Sequence, residues 1–83
     1  MNLQVRFFAS LREALGAQQS VEAPVGTTLG ALRDSLIQHS PRHAEVLSRT
    51  RSVRCAVNQV MCDETRVLAD GAEVAFFPPV TGG

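Results

Sequence analysis

The chain has 83 residues, of which 45% are hydrophobic and 19% charged; that length supports one domain with a modest core and little room for an internal catalytic cavity. Its net charge of +0 gives nucleic-acid binding no electrostatic support. No run approaches the ~20 apolar residues of a membrane helix, and Met1-Asn2-Leu3-Gln4-Val5-Arg6 lacks the basic and apolar regions of a signal peptide, so the expected location is the cytoplasm.

Leu3, Val5 and Phe7 alternate with Gln4, Arg6 and Phe8, the period-two pattern of a half-buried strand with Phe8 as an aromatic on its wet side. Ser10-Leu11-Arg12-Glu13 has the spacing of a capping box, which predicts a helical turn from Ser10 to Leu15 closed by Gly16. Gln18 to Ala23 reads as a second strand, paired with the first through a long connection. Thr27 or Thr28 can cap the main helix, whose stripe is Leu29, Leu32, Leu36 and Ile37 at i, i+3, i+7 and i+8. Gly30 inside that helix costs about 1 kcal/mol relative to Ala, consistent with close packing on the sheet. Ser40-Pro41 ends the helix.

Residues 42–51 read as a short helix or loop anchored by Val46 and Leu47. Ser52 to Val57 is predicted extended, Asn58-Gln59 a turn, and Val60-Met61 extended again. Thr65 to Leu68 is ambiguous, and Ala69-Asp70-Gly71 is a turn. Glu73-Val74-Ala75-Phe76-Phe77 is the last strand, ended by Pro78-Pro79. The result is an α+β domain over 1–77, a mixed sheet packed on one main helix, followed by a tail over 78–83.

Side chains supply no catalytic set. No nucleophile elbow, P-loop or zinc pattern occurs. His39 and His43 are four apart but separated by Ser40-Pro41, which suits solvated residues at a helix end better than metal ligands. Cys55 alternates with Val53 and Val57 and reads as core; Cys62 lies near a turn and reads as more exposed. No metal or bound cofactor is expected. All eight basic residues are arginine. That reflects either genome composition or the advantage, to a chain with a reactive carboxyl end, of having no amine of its own to acylate; under the second reading, added surface lysines would yield self-conjugates on activation.

The tail Pro78-Pro79-Val80-Thr81-Gly82-Gly83 is the more informative feature. Six residues reach on the order of 20 Å when extended. Two side-chain-free glycines could thread a narrow channel and present the Gly83 carboxylate to another protein's active site. Activation as an acyl-adenylate, then attack by a sulfur donor, would make that end a thiocarboxylate. The chain has no nucleotide-binding motif, so a partner must activate it. The first and last strands are plausible neighbours. Phe8 and Phe77 would then share the face away from the helix with Met61, forming a docking patch unless a short helix covers them.

The ending Glu73-Val74-Ala75-Phe76-Phe77-Pro78-Pro79-Val80-Thr81-Gly82-Gly83 resembles that of the small subunits of molybdopterin synthase, as do Phe7-Phe8-Ala9-x-Leu11-Arg12-Glu13, Ala56-Val57-Asn58-Gln59 and Asp70-Gly71. Ala72 departs from the pattern, where an acidic residue is expected, and reads as a surface change. The resemblance implies a β-grasp, ubiquitin-like fold. It implies that Gly83 is adenylated by an ATP-dependent, E1-like adenylyltransferase and receives sulfur from a donor protein to become a thiocarboxylate. It implies that Pro78, Pro79, Val80, Thr81 and Gly82 insert into the large catalytic subunit of a heterotetramer. There Gly83 would donate sulfur to cyclic pyranopterin monophosphate to form the molybdopterin dithiolene of molybdenum cofactor biosynthesis. Phe8, Met61 and Phe77 match the docking surface, with Arg12 and Glu13 at its rim. The small chain would be the non-catalytic, sulfur-donating subunit. The alternatives are a thiamine-pathway sulfur carrier or ubiquitin-like modifier with the same fold, and a plain binding module with an inert tail.

Overall fold

A computed structural model describes residues 1–78. In chain order the elements are β1 (Asn2–Phe7), α1 (Ala9–Leu15), β2 (Gln18–Glu22), α2 (Leu29–Ile37), α3 (Pro41–Leu47), β3 (Arg54–Val57), β4 (Val60–Cys62) and β5 (Glu73–Phe77). The strands form one sheet in the order β2-β1-β5-β3-β4. β1 and β5 run parallel at its centre, with Val5 beside Val74 and Phe7 beside Phe76; the other pairings are antiparallel. This is the expected mixed β-grasp sheet, and the last strand lies between the first and the third.

Period-two alternation decides which side chains the sheet buries. Leu3, Val5, Phe7, Cys55, Val57, Val74 and Phe76 fall on one face and meet Leu11, Leu29, Leu32, Leu36 and Leu47 from the three helices. The main helix starts where the sequence places it, with the Ala31 amide donating to Thr28 Oγ1 at 3.2 Å. Ser40 both follows α2 and caps α3, its Oγ accepting from the His43 amide, with Pro41 in the first turn.

Four expectations need correction. The capping box does not form: the N-cap of α1 is Phe8, which makes no side-chain cap bond, so Ser10 and Glu13 sit two positions too deep. The chain turns into the helix at Ala9, whose φ is 52°. Gly30 packs not on the sheet but on the segment after β4. A Cβ there would lie 3.1 Å from Glu64 Oε1 and 3.2 Å from its backbone O, and the Gly30 amide donates to that oxygen. Ala72 is not a surface change. It is 4% exposed, part of the core cluster, and its carbonyl accepts from the Gln4 amide, so an acidic side chain would be buried there without a partner.

The fourth is His43. It is 9% exposed and joins three parts of the fold. Its Nδ1 pairs with Ser40 Oγ at 2.7 Å and its Nε2 with Gln19 Oε1 at 3.0 Å, while its ring meets the edge of Phe7. Burial, and behind it the charge of His39, push the His43 pKa down. His39 itself is exposed, as expected.

Sequence reading also passed over Arg33, which is 3% exposed. Its guanidinium donates to the carbonyls of Leu47, Ser48 and Arg51 and to Glu64 Oε2, at 2.7–2.9 Å. Arg49 adds bonds to Asp34, Glu64 and the Gly30 carbonyl. Two arginines thus tie α2, the loop after α3 and the turn after β4 together. Both carboxylates are held below their ordinary pKa: in Asp34 chiefly by its bond to Arg49, and in Glu64 by bonds to Arg49 and Arg33 that outweigh its desolvation.

Candidate functional site

The face of the sheet opposite the helices is set by the other half of each strand's alternation. It presents Arg6 and then Phe8 beyond β1, Glu73, Ala75 and Phe77 from β5, Arg54 and Ala56 from β3, and Met61 from β4. Register brings these into rows: Arg6 beside Ala75, Phe77 beside Arg54 and Ala75 beside Ala56, and Ala56 beside Met61. Phe8 and Phe77 stack with ring centroids 4.7 Å apart and planes 13° from parallel. Met61 is 52% exposed and shares a hollow with Phe77, Arg54 and Pro78.

The three aromatic and thioether side chains singled out by sequence therefore lie on one face, at the foot of the tail. Two alanines lie beneath this face. Ala56 and Ala75 are only 3% and 6% exposed, although they fall outside the main core cluster. The recess at this face is the hollow lined by Arg54, Met61, Phe77 and Pro78, whose apolar walls suit a partner's apolar side chain.

The rim is charged. The Arg6 guanidinium lies 5.5 Å from the Phe8 ring centroid, and its Nη1 is 3.9 Å from Glu73 Oε1. Arg54 is exposed beside Phe77. Arg12 and Glu13 are both exposed on α1, about one turn along from Phe8. Sequence reading missed Arg6, Arg54, Ala56 and Ala75 as members of this face. The available signal was strand parity: each falls an even number of residues from Phe8, Phe77 or a register partner of Met61.

Pro78 is half-buried and described. Pro79, Val80, Thr81, Gly82 and Gly83 lie outside the described residues. β5 delivers the chain to that tail from the middle of the sheet, with the Phe8 amide donating to the Phe76 carbonyl at 3.2 Å as the strand ends. No group of three or more metal-ligating side chains occurs among the described residues, and no helix there is long and apolar enough to cross a membrane.

Comparison with known proteins fits this geometry. Residues 5–83 match the sequence model of the ThiS family. The chain is 42% identical over 81 residues to the molybdopterin synthase sulfur carrier subunit of Escherichia coli, covering 98% of this chain and 99% of that one. The structure of SAMP1 from Haloferax volcanii superposes with a TM-score of 0.81 at 26% identity, over 100% of both chains. Subunit 1 or 2 in a complex of the two subunits of molybdopterin-converting factor from Helicobacter pylori does so with a TM-score of 0.71 at 28% identity, again over 100% of both chains. Matched by the family model over residues 5–83 and by a curated relative along its whole length, the chain belongs to the ThiS family, alongside the molybdopterin synthase sulfur carrier subunits.

Proposed function

We propose that this chain is the sulfur carrier subunit of a molybdopterin synthase, with Gly83 as the group that bears the sulfur. The observation that carries the reading is the placement of the Phe8–Phe77–Met61 face at the foot of the tail, in a chain aligned end to end with a carrier subunit.

The chemistry divides between partners. A carboxylate is a poor electrophile. An E1-like adenylyltransferase joins the Gly83 carboxylate to the α-phosphate of ATP and releases pyrophosphate. The terminal sulfur of a donor protein's persulfide then displaces AMP, giving an acyl disulfide; a second thiol attacks the donor's sulfur, forming a disulfide with it and releasing the Gly83 thiocarboxylate. The apolar face seats the domain on the large catalytic subunit, and Pro78 to Gly82 lead the sulfur into that subunit's site. There it attacks the cyclic pyranopterin monophosphate, and two such deliveries build the dithiolene. The recess supplies affinity and the tail supplies reach, so docking and delivery can be impaired separately.

Intact mass after incubation with ATP, the activating enzyme and a sulfur donor tests this. We expect a gain of about 16 Da confined to the C-terminal peptide, as one oxygen is exchanged for sulfur. No gain, with an activating enzyme proven on another carrier, would leave the tail inert and the chain a binding module. The likeness to SAMP1 favours a second reading, a ubiquitin-like modifier. That reading predicts covalent adducts of Gly83 with lysines of other proteins; the carrier reading predicts recovery of free chain after each transfer. Capture of a thiazole synthase in place of the pterin-synthase large subunit would instead assign the chain to the thiamine pathway.

A further inference from the structure

The two cysteines of the chain face each other. Cys55 on β3 and Cys62 on β4 are direct register partners, and opposed residues of an antiparallel pair point to the same face with Cα atoms about 4.5–5.5 Å apart. A disulfide spans Cα separations of about 4.4–6.8 Å. Cys55 is 3% exposed. Cys62 is half-buried on an edge strand, and both line an open cleft between Val53 and Glu64. One thiol is thus reachable from solvent and the other waits behind it.

We propose that Cys55 and Cys62 form a reversible cross-strand disulfide, a redox-modification site whose oxidant is a small-molecule disulfide of the glutathione class. The Cys62 thiolate attacks oxidised glutathione, forming a mixed disulfide and releasing one glutathione thiolate. The Cys55 thiolate then attacks the Cys62 sulfur, closing the bridge and releasing the second glutathione. Two protein thiols lose two electrons and two protons, and one glutathione disulfide becomes two thiols.

Hairpin geometry makes the bond labile. Val57 and Val60 flank the two-residue turn Asn58-Gln59, so they form a hydrogen-bonded rung; the next rung, Ala56 with Met61, is unbonded, and Cys55 with Cys62 is bonded again. Bonded rungs are the wider ones, and a disulfide draws the Cβ atoms to about 3.8 Å. Bridging therefore pulls the strands together, and a strained bond is a readily reduced one. Closure is also slow at neutral pH. Desolvation, with the charge of Glu64 behind it, pushes the Cys55 thiol up to about 11, so its thiolate fraction and the closing rate rise about tenfold per pH unit from 7 to 9.

The test is equilibration of the full chain in mixtures of oxidised and reduced glutathione, followed by acid quench, alkylation in denaturant and intact mass. The expected product is a monomer about 2 Da lighter, the two hydrogens lost on bridging, with no thiol left to alkylate and full recovery in dithiothreitol. Cys55→Ala should stop at one glutathione on Cys62, and Cys62→Ser should keep one alkylatable thiol. Wild-type chain that stops at the glutathione adduct, links into a dimer through Cys62, or keeps both thiols overturns the proposal.

Discussion

Replacing Arg33 with Met removes the donor to three carbonyls while refilling most of the volume. The carbonyls of Leu47, Ser48 and Arg51 lose bonds of 2.7–2.9 Å. Each such bond contributes about 1 kcal/mol net, and more when the donor is charged. Glu64 keeps Arg49 as a partner, so its carboxylate is not orphaned. Against the loss stands the recovered cost of burying a guanidinium. The balance is a destabilisation of about 2–4 kcal/mol, a large share of the roughly 4–12 kcal/mol that a domain of this size has in total, or a fall in Tm of about 10–25 °C. The chain has no tryptophan or tyrosine, so thermal and urea unfolding are best followed by far-ultraviolet circular dichroism. Arg49→Met is the control: that side chain is 47% exposed, and its ion pairs should contribute less than about 1 kcal/mol. Equal effects from the two substitutions, or a loss below about 1 kcal/mol for Arg33→Met, would refute the idea that burial makes the first arginine the structural one.

Met61→Asp puts a charge into the recess from an exposed position. It should leave Tm within about 2 °C while weakening binding of the large subunit by about 30-fold, a 2 kcal/mol hot-spot loss; calorimetric titration showing unchanged affinity would remove Met61 from the interface. His43 supplies a pH dependence. Its pKa is lowered in the fold from 6.5, so the unfolded chain takes up the proton first, and stability present above pH 6.5 is lost as pH falls through the lower folded value. Unfolding free energy should therefore decline on acidification from pH 7, and His43→Gln should flatten that decline; an unaltered slope in the variant would assign it to other groups. Asp34, Asp63 and Glu64, all lowered, add a second decline as pH falls below their ordinary values of 3.8–4.5.

Alternation and helical periodicity carried most of the architecture. Leu3, Val5 and Phe7 lie where period two puts them, and the Leu29–Leu36 stripe is the core side of α2. Those patterns are local, and local rules hold where one face is dry and the other wet. What was illegible depends on distant neighbours. Position 33 falls i+4 from Leu29, inside the apolar stripe, and an arginine there signals a buried partner. Its acceptors, however, are carbonyls of a loop 14–18 residues away, which no spacing rule locates. His43 is buried because β2 brings Gln19 to it, and Ala72 because the chain must pass beneath Gln4 to enter β5. Phe8, Met61 and Phe77 converge because β5 inserts between β1 and β3, and the expected neighbouring of first and last strands already implied two of the three.

That insertion has a mechanical corollary. β5 is hydrogen-bonded along both edges, to β1 on one side and β3 on the other, and the chain leaves it at Pro78. A pull on the tail therefore loads two ladders in shear, so that many bonds must fail together rather than one after another as in peeling. In the proposed carrier role, where the tail would be drawn into a channel and withdrawn at each delivery, the tension would fall on both ladders at once.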